Sequence, residues 1–411
     1  MRVLLIHPRF PYRGKDSFPL GLGYLAAVAK GNEIIVIDEN VETLNLEKIN
    51  PDIVGITSTT PSFPRAMEIA KTVKKLWRGT TLVIGGTHVT FVPEDALMSG
   101  VDVVVRGEGE HAFLELLEGR ELGRIKGIAY MEEGRIIKTP DRELIPDLDS
   151  LPFPAWQRFP LQGYGIMSMI TSRGCPYSCS YCSATRFWRH HVRYRSPENV
   201  LEELKLIAEQ GFKLIRFMDS TFTLDKKRCL RICELIKKEG LDLKWSCETR
   251  ADALDDEILE AFSTSGCNLI CIGVDSGSQR VLDETNRQMR VSSIKKAFEK
   301  IRKYGIATRA YVTFGFPGES EKGVMETMKL LEEAKPEQIL LSLATAYPGT
   351  ELWGRGGVEV HPDWIAKFHG HGTGGRLYLP SGLSRKDYMR LADYVWSEVR
   401  KLTRERAKLI T

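Results

Sequence analysis

The feature that most limits the fold is a repeated alternation of short apolar runs with longer helical patterns. In the first 120 residues the apolar runs are VLLIH (3–7), IIVID (34–38), DIVGITS (52–58) and TLVIGG (81–86). Runs that are apolar at every position are typical of strands buried on both faces of a parallel sheet. We therefore predict an α/β protein with a Rossmann-like N-terminal domain, residues 1–143.

A second alternation begins near residue 165, after a Pro-rich stretch that we interpret as a linker, residues 144–164. It contains six strand and helix units before residue 350, whereas a complete TIM barrel has eight. This indicates a partial, open (β/α)6 barrel over residues 165–350. Residues 351–411 are predicted to form a small C-terminal segment that closes the barrel and ends in a helix near 384–406.

Charge and hydropathy exclude two classes of partner. The 58 Lys and Arg residues nearly balance the 54 Asp and Glu residues and are spread along the chain, which gives no basis for nucleic-acid binding. No apolar run is long enough to span a membrane, and the first residues lack the layout of a signal peptide. We expect a soluble, cytoplasmic protein.

The strands of the N-terminal domain end in loops rich in Gly, Ser and Thr. In an open parallel sheet these carboxyl ends form the crevice in which ligands bind. Each loop alone also resembles an ordinary tight turn, but three on one edge favour a ligand site. The candidate residues are Ser58, Thr59, Thr60, Gly85, Gly86, Thr87, His88, Gly107, Glu108 and Gly109.

Three cysteines, Cys175, Cys179 and Cys182, have the spacing C-x3-C-x2-C in the loop after the first predicted barrel strand. Structural zinc normally takes four protein ligands, usually as two separated pairs. Three thiols on one tight loop fit an iron–sulfur cluster better, with one iron left open for a substrate or cofactor. Barrels of this type also place their active sites at the carboxyl ends of the strands.

The remaining cysteines and a histidine pair have plainer interpretations. The other five cysteines lie at positions 229, 233, 247, 267 and 271, where buried packing is favoured over a second cluster. In HGHGTGG, His369 and His371 suit metal binding and loop flexibility equally well, so we assign no metal to them.

The cysteine loop resembles the signature of the radical S-adenosylmethionine enzymes. In that family three cysteines hold a [4Fe–4S] cluster, and the methionyl group of S-adenosylmethionine chelates the fourth iron. The resemblance covers nearly the whole chain and is closest to the cobalamin-binding subgroup. The segments that carry it are GITSTTPS, GGTHVT, VRGEGE, LPFPAW, RFMDSTF, TRAD, GVDSGS, GFPGES and AYPGTEL.

The resemblance implies a set of S-adenosylmethionine contacts: Tyr181, Asp219, Ser220, Glu248, Arg250, Asp275, Ser276, Arg287 and Gly315. Two positions depart from the family pattern. Ser220 stands where many relatives have a second aspartate, and Asp275 stands where the subgroup more often has glutamate. The structural alternatives are strand-end caps or ion pairs for Asp219 and Asp275, and a solvated helix residue for Arg287.

The same resemblance implies cobalamin as the ligand of the first domain, with its nucleotide tail in the sheet crevice and the glycine-rich loops as its contacts. The D-x-H-x-x-G motif, which supplies an axial histidine in other cobalamin proteins, is absent. His7 and His88 lack that context. We therefore expect no histidine at the lower cobalt face and place the loop 57–61 nearest to it.

The function implied is C-methylation of an unactivated carbon by way of a 5′-deoxyadenosyl radical and methylcobalamin, with an electron donor such as ferredoxin or flavodoxin. Tyr347 is the candidate side chain for the substrate pocket, although a packing role fits it equally well. The compact length resembles that of the family member that methylates a glutamine in the alpha subunit of methyl-coenzyme M reductase, which implies a peptide or protein substrate.

Three alternatives stay open. One is ring closure or carbon–carbon coupling with the same cofactors. Another is methylation of a lipid, antibiotic or tetrapyrrole. The last is a cobalamin or redox sensor without enzymatic activity.

Overall fold

A computed structural model describes residues 1–10, 18–47, 49–360 and 376–407. The chain divides into two compact units, residues 1–168 and 169–411. The segment HGHGTGG, with His369 and His371, lies outside the described residues. Within the described part of the chain, no helix is both long enough and apolar enough to cross a bilayer.

The first unit is built on a single mixed sheet. Its strands are β1 Arg2–His7, β2 Glu33–Asp38, β3 Ile53–Thr57, β4 Thr81–Gly85, β5 Val103–Val105, β6 Ile128–Glu132 and β7 Arg135–Lys138. The order is β2-β1-β3-β4-β5-β6-β7, with the first five strands parallel and the last two antiparallel. The predicted Rossmann-like architecture is confirmed, and the pair β6–β7 extends it as an antiparallel edge.

Helices cover this sheet on both faces. They are α1 Leu20–Val28, α2 Phe63–Leu76, α3 Thr87–Phe91, α4 Pro93–Leu97 and α5 Glu110–Leu117. The central strand β1 has four consecutive residues, 3–6, with no exposed surface, because neither of its faces reaches solvent. Helix α2 buries residues spaced three and four apart, including Ala66, Ile69, Ala70 and Val73, so it packs one apolar stripe on the sheet.

The predicted Pro-rich linker is packed on the first unit. The Phe18 ring lies 4.2 Å from the Trp156 ring and 4.4 Å from the Phe159 ring. The Ala155 amide donates to the carbonyl of Gly23 at 3.0 Å. A Cβ at Gly23 would lie 2.8 Å from Pro154 Cβ, so glycine allows the chain to approach α1 closely.

The second unit contains an open sheet of six strands and two separate strand pairs. In chain order, all these strands are β8 Met167–Met169, β9 Ser172–Arg173, β10 Arg193–Tyr194, β11 Leu214–Phe217, β12 Lys244–Thr249, β13 Cys267–Asp275, β14 Ala307–Phe314, β15 Gln338–Leu343, β16 Val358–Val360 and β17 Arg376–Tyr378. The sheet runs β15-β14-β13-β12-β11-β8, and β8 and β15 do not pair with each other within the described residues. The predicted partial barrel is therefore confirmed. Strands β9 and β10 form a separate antiparallel pair, as do β16 and β17.

Helices follow the barrel strands and are capped at the rim that carries the strand carboxyl ends. They are α6 Ser183–Phe187, α7 Pro197–Glu209, α8 Lys226–Lys238, α9 Asp256–Thr264, α10 Gln279–Glu284, α11 Val291–Lys303, α12 Glu321–Ala334 and α13 Arg385–Ala407. The side chains of Ser196, Asp225, Asp255 and Ser320 accept backbone N–H groups at the starts of α7, α8, α9 and α12. These caps satisfy donors that the helices cannot pair internally and fix the connecting loops.

Candidate active site

The cysteine loop begins where β9 ends and is shaped by a glycine. Gly174 has a φ of +115°, and a Cβ there would lie 1.9 Å from the carbonyl oxygen of His191. Only glycine fits both conditions. The loop then closes through a hydrogen bond from the Cys182 amide to the Cys179 carbonyl, 3.1 Å, and α6 starts directly after Cys182.

The three thiols lie close enough to influence one another. Burial raises the pKa of the Cys182 thiol, and negative charge on Cys179 or Cys175 would raise it further. Burial also raises the pKa of Cys179, while the Arg287 guanidinium, 3.9 Å from its sulfur, opposes that shift. A bound metal centre would offset this penalty, because the thiols would release their protons to water and the positive metal would neutralise the buried thiolates.

The three thiols supply one protein ligand fewer than a structural zinc site normally has. In a [4Fe–4S] cluster each cysteine binds a different iron, so three thiols on one short loop can bind three irons and leave the fourth open.

Arg287 links the cysteine loop to the end of β13. Its Nε lies 2.6 Å from Asp275 Oδ2, and Tyr181 donates its hydroxyl to that same oxygen at 2.7 Å. Arg287 Nη2 donates to the Gly273 carbonyl at 2.9 Å. Burial works against the charged guanidinium, but the pKa of Arg287 is still raised because Asp275 lies beside it. Three predicted site residues thus meet next to Cys179, and Arg287 is 9% exposed, far from a solvated position.

Asp219 and Ser276 direct their polar atoms toward the protein. Asp219 is fully buried and accepts hydrogen bonds from the amide and hydroxyl of Thr171, 3.1 and 2.8 Å, and from the Ser172 hydroxyl. Burial raises the pKa of Asp219. Ser276 contacts the Thr327 hydroxyl at 3.2 Å. Asp219 therefore ties the end of β11 to the start of the cysteine loop, while its neighbour Ser220 is exposed on the rim.

Arg250 contacts two loops of the site, the one that carries Arg287 and the cysteine loop. Its Nη1 and Nη2 donate to the carbonyls of Arg287 and Gln288 at 3.0 and 2.6 Å. Its guanidinium also stacks on the ring of Tyr177 in the cysteine loop, 3.7 Å from the centroid. Arg250 is 2% exposed, so its contacts are made with the protein and it holds the loop that carries Arg287. Sequence reasoning missed this role because the partners are far away along the chain.

Glu248 belongs to a polar cluster on the inner face of the barrel. Its Oε1 accepts hydrogen bonds from Arg216 Nη2 at 2.7 Å and from the Tyr311 hydroxyl at 3.2 Å. Arg216 and Tyr311 also contact each other at 3.0 Å. Arg216 and Tyr311 were not anticipated. The signal available in the sequence was the presence of long polar side chains within strands that are otherwise apolar.

The Gly315 turn packs against the last helix. Gly315 has a φ of +91°, and a Cβ there would lie 2.5 Å from the hydroxyl of Tyr388 in α13. Glu319, in the same turn, is 5% exposed, and burial raises its pKa to about 7. Tyr347 lies just after β15, where its carbonyl accepts the Thr350 amide at 3.1 Å, and burial raises its pKa to about 12.

Replacement of Glu319 by Gln is expected to change how stability depends on pH. The pKa of Glu319 is raised from 4.5 to about 7 in the folded state, so the folded chain retains a proton that the unfolded chain loses. The contribution of Glu319 to stability should therefore be fully present below about pH 4.5 and should be lost, by about 3 kcal/mol, as the pH rises through about 7. Denaturant unfolding at several pH values should show a steeper loss of stability over this range in the wild type than in Glu319→Gln. Equal slopes in both proteins would contradict the assignment.

In the first unit, the three glycine-rich loops lie side by side at the ends of β3, β4 and β5. The Ser58 amide donates to the Gly85 carbonyl at 2.7 Å. Gly86 has a φ of +115°, and a Cβ there would lie 2.2 Å from the Ser58 carbonyl oxygen. The Gly107 amide donates to the Thr90 hydroxyl at 3.0 Å, which joins the second loop to the third.

His88 is held firmly inside this loop cluster. Its Nδ1 lies 3.1 Å from the Thr60 hydroxyl, its Nε2 lies 3.2 Å from Asp95 Oδ2, and its ring lies 4.2 Å from that of Phe63. With both ring nitrogens engaged and 1% exposure, His88 shapes the loops and is not disposed to bind a metal.

The remaining loop residues leave room for a ligand at this edge. A Cβ at Gly107 would meet nothing within 4 Å, Thr59 is exposed and Thr87 is half-buried. The Gly109 position is tighter, because a Cβ there would lie 3.5 Å from Leu25 Cδ2. Glu108, also a candidate, uses Oε2 to accept the Ile145 amide at 2.8 Å. The edge therefore suits a large ligand that approaches the backbone, as cobalamin would.

Comparisons with known proteins match a different family model to each of the two units. Residues 169–331 match the model of the radical SAM superfamily, and residues 11–117 match that of the B12 binding domain. The chain is 35% identical over 380 residues to an uncharacterized methyltransferase of Pyrococcus horikoshii, covering 86% of this chain and 82% of the relative. It is 28% identical over 445 residues to the anaerobic magnesium-protoporphyrin IX monomethyl ester cyclase of Rubrivivax gelatinosus, covering 100% of this chain and 78% of the relative.

Solved structures show the same fold. The radical S-adenosylmethionine methyltransferase TsrM of Kitasatospora setae matches with a TM-score of 0.79 at 20% identity, covering 97% of this chain and 88% of that protein. The cobalamin-dependent S-adenosylmethionine radical enzyme OxsB matches with a TM-score of 0.69 at 21% identity, covering 97% of this chain and 61% of that protein.

The fold and the cysteine loop thus define a radical S-adenosylmethionine enzyme joined to a B12-binding domain. The chain belongs to the cobalamin-dependent methyltransferases of the radical S-adenosylmethionine superfamily. Its cofactors are a [4Fe–4S] cluster, S-adenosylmethionine and cobalamin, as the sequence predicted.

Proposed function

We propose that this enzyme transfers a methyl group from S-adenosylmethionine, by way of cobalamin, to an unactivated sp3 carbon. The observation that carries the proposal is the combination in one chain of a B12-binding domain and a radical S-adenosylmethionine domain, in a sequence 35% identical to a methyltransferase. When bound, the three cofactors supply one-electron cleavage of a carbon–sulfur bond and a methyl group carried on cobalt.

The residues of this chain would bind and orient those groups. Cys175, Cys179 and Cys182 would hold the cluster. Arg287 and Asp275 would face S-adenosylmethionine beside the open iron, because their charged groups lie next to Cys179 and are mostly shielded from water. A guanidinium forms two parallel hydrogen bonds with a carboxylate, which suits Arg287 to the amino-acid end of that cofactor.

Other side chains would set the positions of these binding groups. Glu248 would take hydroxyl or ammonium groups of S-adenosylmethionine, with Arg216 and Tyr311 fixing the direction of its carboxylate. Tyr181, which stacks on Phe316 at 4.4 Å, would border the adenine together with the Gly315 turn. In the first unit, the loops around Ser58, Gly86 and Gly107 would hold cobalamin through backbone groups. Tyr347 remains the candidate for the substrate pocket.

The acceptor we propose to test first is a glutamine of the alpha subunit of methyl-coenzyme M reductase. Its support is the similarity in compact length to the family member that methylates this glutamine. A peptide that contains this glutamine should gain one labelled methyl group when it is incubated anaerobically with the reconstituted enzyme, a reductant and methyl-labelled S-adenosylmethionine. The same peptide with Asn in place of Gln is the matched control. Lack of methylation with formation of 5′-deoxyadenosine would reject this acceptor but not the reaction class.

A second candidate function is ring closure without methyl transfer. It is favoured by the similarity to the anaerobic magnesium-protoporphyrin IX monomethyl ester cyclase of Rubrivivax gelatinosus, which extends over the whole chain. Mass spectrometry of anaerobic reaction products separates the two candidates. Methyl transfer predicts a product that carries the label of the S-adenosylmethionine methyl group, whereas ring closure predicts an oxidised product without that label.

A further inference from the structure

The stretch around the cysteine loop carries positive charge only. Residues 173–197 contain five arginines and two histidines and no aspartate or glutamate. Arg173 and Arg195 are buried, so the exposed positive charge of this stretch lies mainly on Arg186 and Arg189. Exposed charge of one sign at a surface attracts a partner of the opposite sign.

The exposed part of this stretch forms a defined turn, which we call the basic tip, residues 186–191. Arg186, Arg189, His190 and His191 are all exposed. The turn is fixed by hydrogen bonds from the His190 amide to the Thr185 carbonyl, 3.0 Å, and from the His191 amide to the Trp188 carbonyl, 2.9 Å. Within the described residues, Arg186 forms no ion pair.

The basic tip is attached directly to the cysteine loop. His190 Nδ1 lies 3.4 Å from the Ser178 hydroxyl, between Cys175 and Cys179. The Thr185 hydroxyl donates to the Tyr177 carbonyl at 3.0 Å. The Gly174 backbone packs so closely on the His191 carbonyl that no side chain fits between them. The exposed positive charge therefore lies at the outer side of the loop that would hold the cluster.

We propose that the basic tip is the docking surface for an acidic one-electron carrier protein that reduces the cluster. The proposal rests on the proposed function, because it requires the three cysteines to hold the cluster. One electron passes from the reduced carrier to the cluster, so the carrier is oxidised by one electron, the cluster is reduced by one, and no bond or proton is exchanged. A negatively charged partner fits because opposite charges accelerate and orient protein encounter.

The test compares two reductants on the same reconstituted protein. Cluster reduction is followed by stopped-flow absorbance with an acidic flavodoxin in its hydroquinone form, and separately with dithionite. Arg186→Glu should slow reduction by flavodoxin several-fold, and Arg186→Glu combined with Arg189→Glu should slow it about tenfold or more at low salt. Dithionite is a small anion that needs no docking surface, so its rate should fall much less than that of flavodoxin. The wild-type rate with flavodoxin should fall as ionic strength rises.

The matched control is Lys237→Glu combined with Lys238→Glu, which changes the net charge equally at the exposed end of α8. It should leave the flavodoxin rate close to that of the wild type. Equal slowing in the control, no slowing in the tip variants, or a slowing with dithionite as large as that with flavodoxin would overturn the proposal. Iron and sulfide content is measured first in every variant, so a wild type without a cluster refutes the proposed function and is not mistaken for failed docking.

Discussion

Simultaneous replacement of Cys175, Cys179 and Cys182 by Ala is expected to abolish binding of iron and the visible absorbance of the cluster. These thiolates are the protein ligands that the proposed site supplies, and all three lie on one loop. The expected result is an iron and sulfide content near zero after anaerobic reconstitution, together with loss of 5′-deoxyadenosine formation. Metal analysis and absorbance spectroscopy measure the first, and chromatography of the products measures the second.

The matched control is Cys229→Ala combined with Cys233→Ala. These thiols are 0% and 2% exposed within α8, and burial raises the pKa of Cys229 well above its ordinary value. Buried cysteines of this kind pack as small apolar groups, so the control should keep its cluster and lose some stability only. A cluster that survives in the triple variant, or disappears in the control, would show that the cysteine assignment is wrong.

Replacement of Arg287 by Ala is expected to have the second largest effect, on both stability and cofactor binding. Its side chain and that of Asp275 are each 10% exposed, so removal of the guanidinium leaves a carboxylate buried without its counter-ion. Breaking such a pair from one side costs about 3–5 kcal/mol. Denaturant unfolding should show that loss, and equilibrium dialysis should show loss of S-adenosylmethionine binding.

Two further variants separate structure from cofactor binding. Asp275→Asn combined with Arg287→Ala should recover part of the lost stability, because the unpaired charge is gone, but it should not recover S-adenosylmethionine binding. Arg280→Ala removes an arginine whose side chain is 67% exposed and should change stability by about 0.5 kcal/mol or less. If Arg287→Ala behaves like Arg280→Ala in both measurements, the proposed role of Arg287 is incorrect.

Much of the fold could be predicted because the strands carry their own signal. Runs such as residues 3–6 are apolar at every position, and the structure buries them on both sides in a parallel sheet. The addition of the strand pair β6–β7 to the main sheet depends on pairing with β5 and is not encoded locally. The contact between Phe18 and Trp156 is likewise a long-range event that a Pro-rich composition does not reveal.

The candidate site likewise has some features that a local sequence pattern predicts and others that depend on long-range contacts. The cysteine spacing is a local pattern, so the sequence alone predicts Cys175, Cys179 and Cys182 as ligands, whereas Gly315 came from the family resemblance. Arg250 binds the carbonyl of Gln288, and Tyr388 packs on Gly315, with partners that come from distant parts of the chain. Contacts between residues that are far apart in the sequence produce no local pattern, so the roles of Arg250 and Tyr388 could be seen only in the structure.

Methyl transfer to protein-bound cobalamin can be measured without knowledge of the acceptor. The protein is reconstituted anaerobically with its cluster and reduced cobalamin, incubated with methyl-deuterated S-adenosylmethionine, and separated from free ligands before mass spectrometry of the bound cobalamin. We expect protein-bound methylcobalamin that carries the deuterated methyl group. Cobalamin that binds but never acquires the labelled methyl group would contradict methyl transfer as the function of this enzyme.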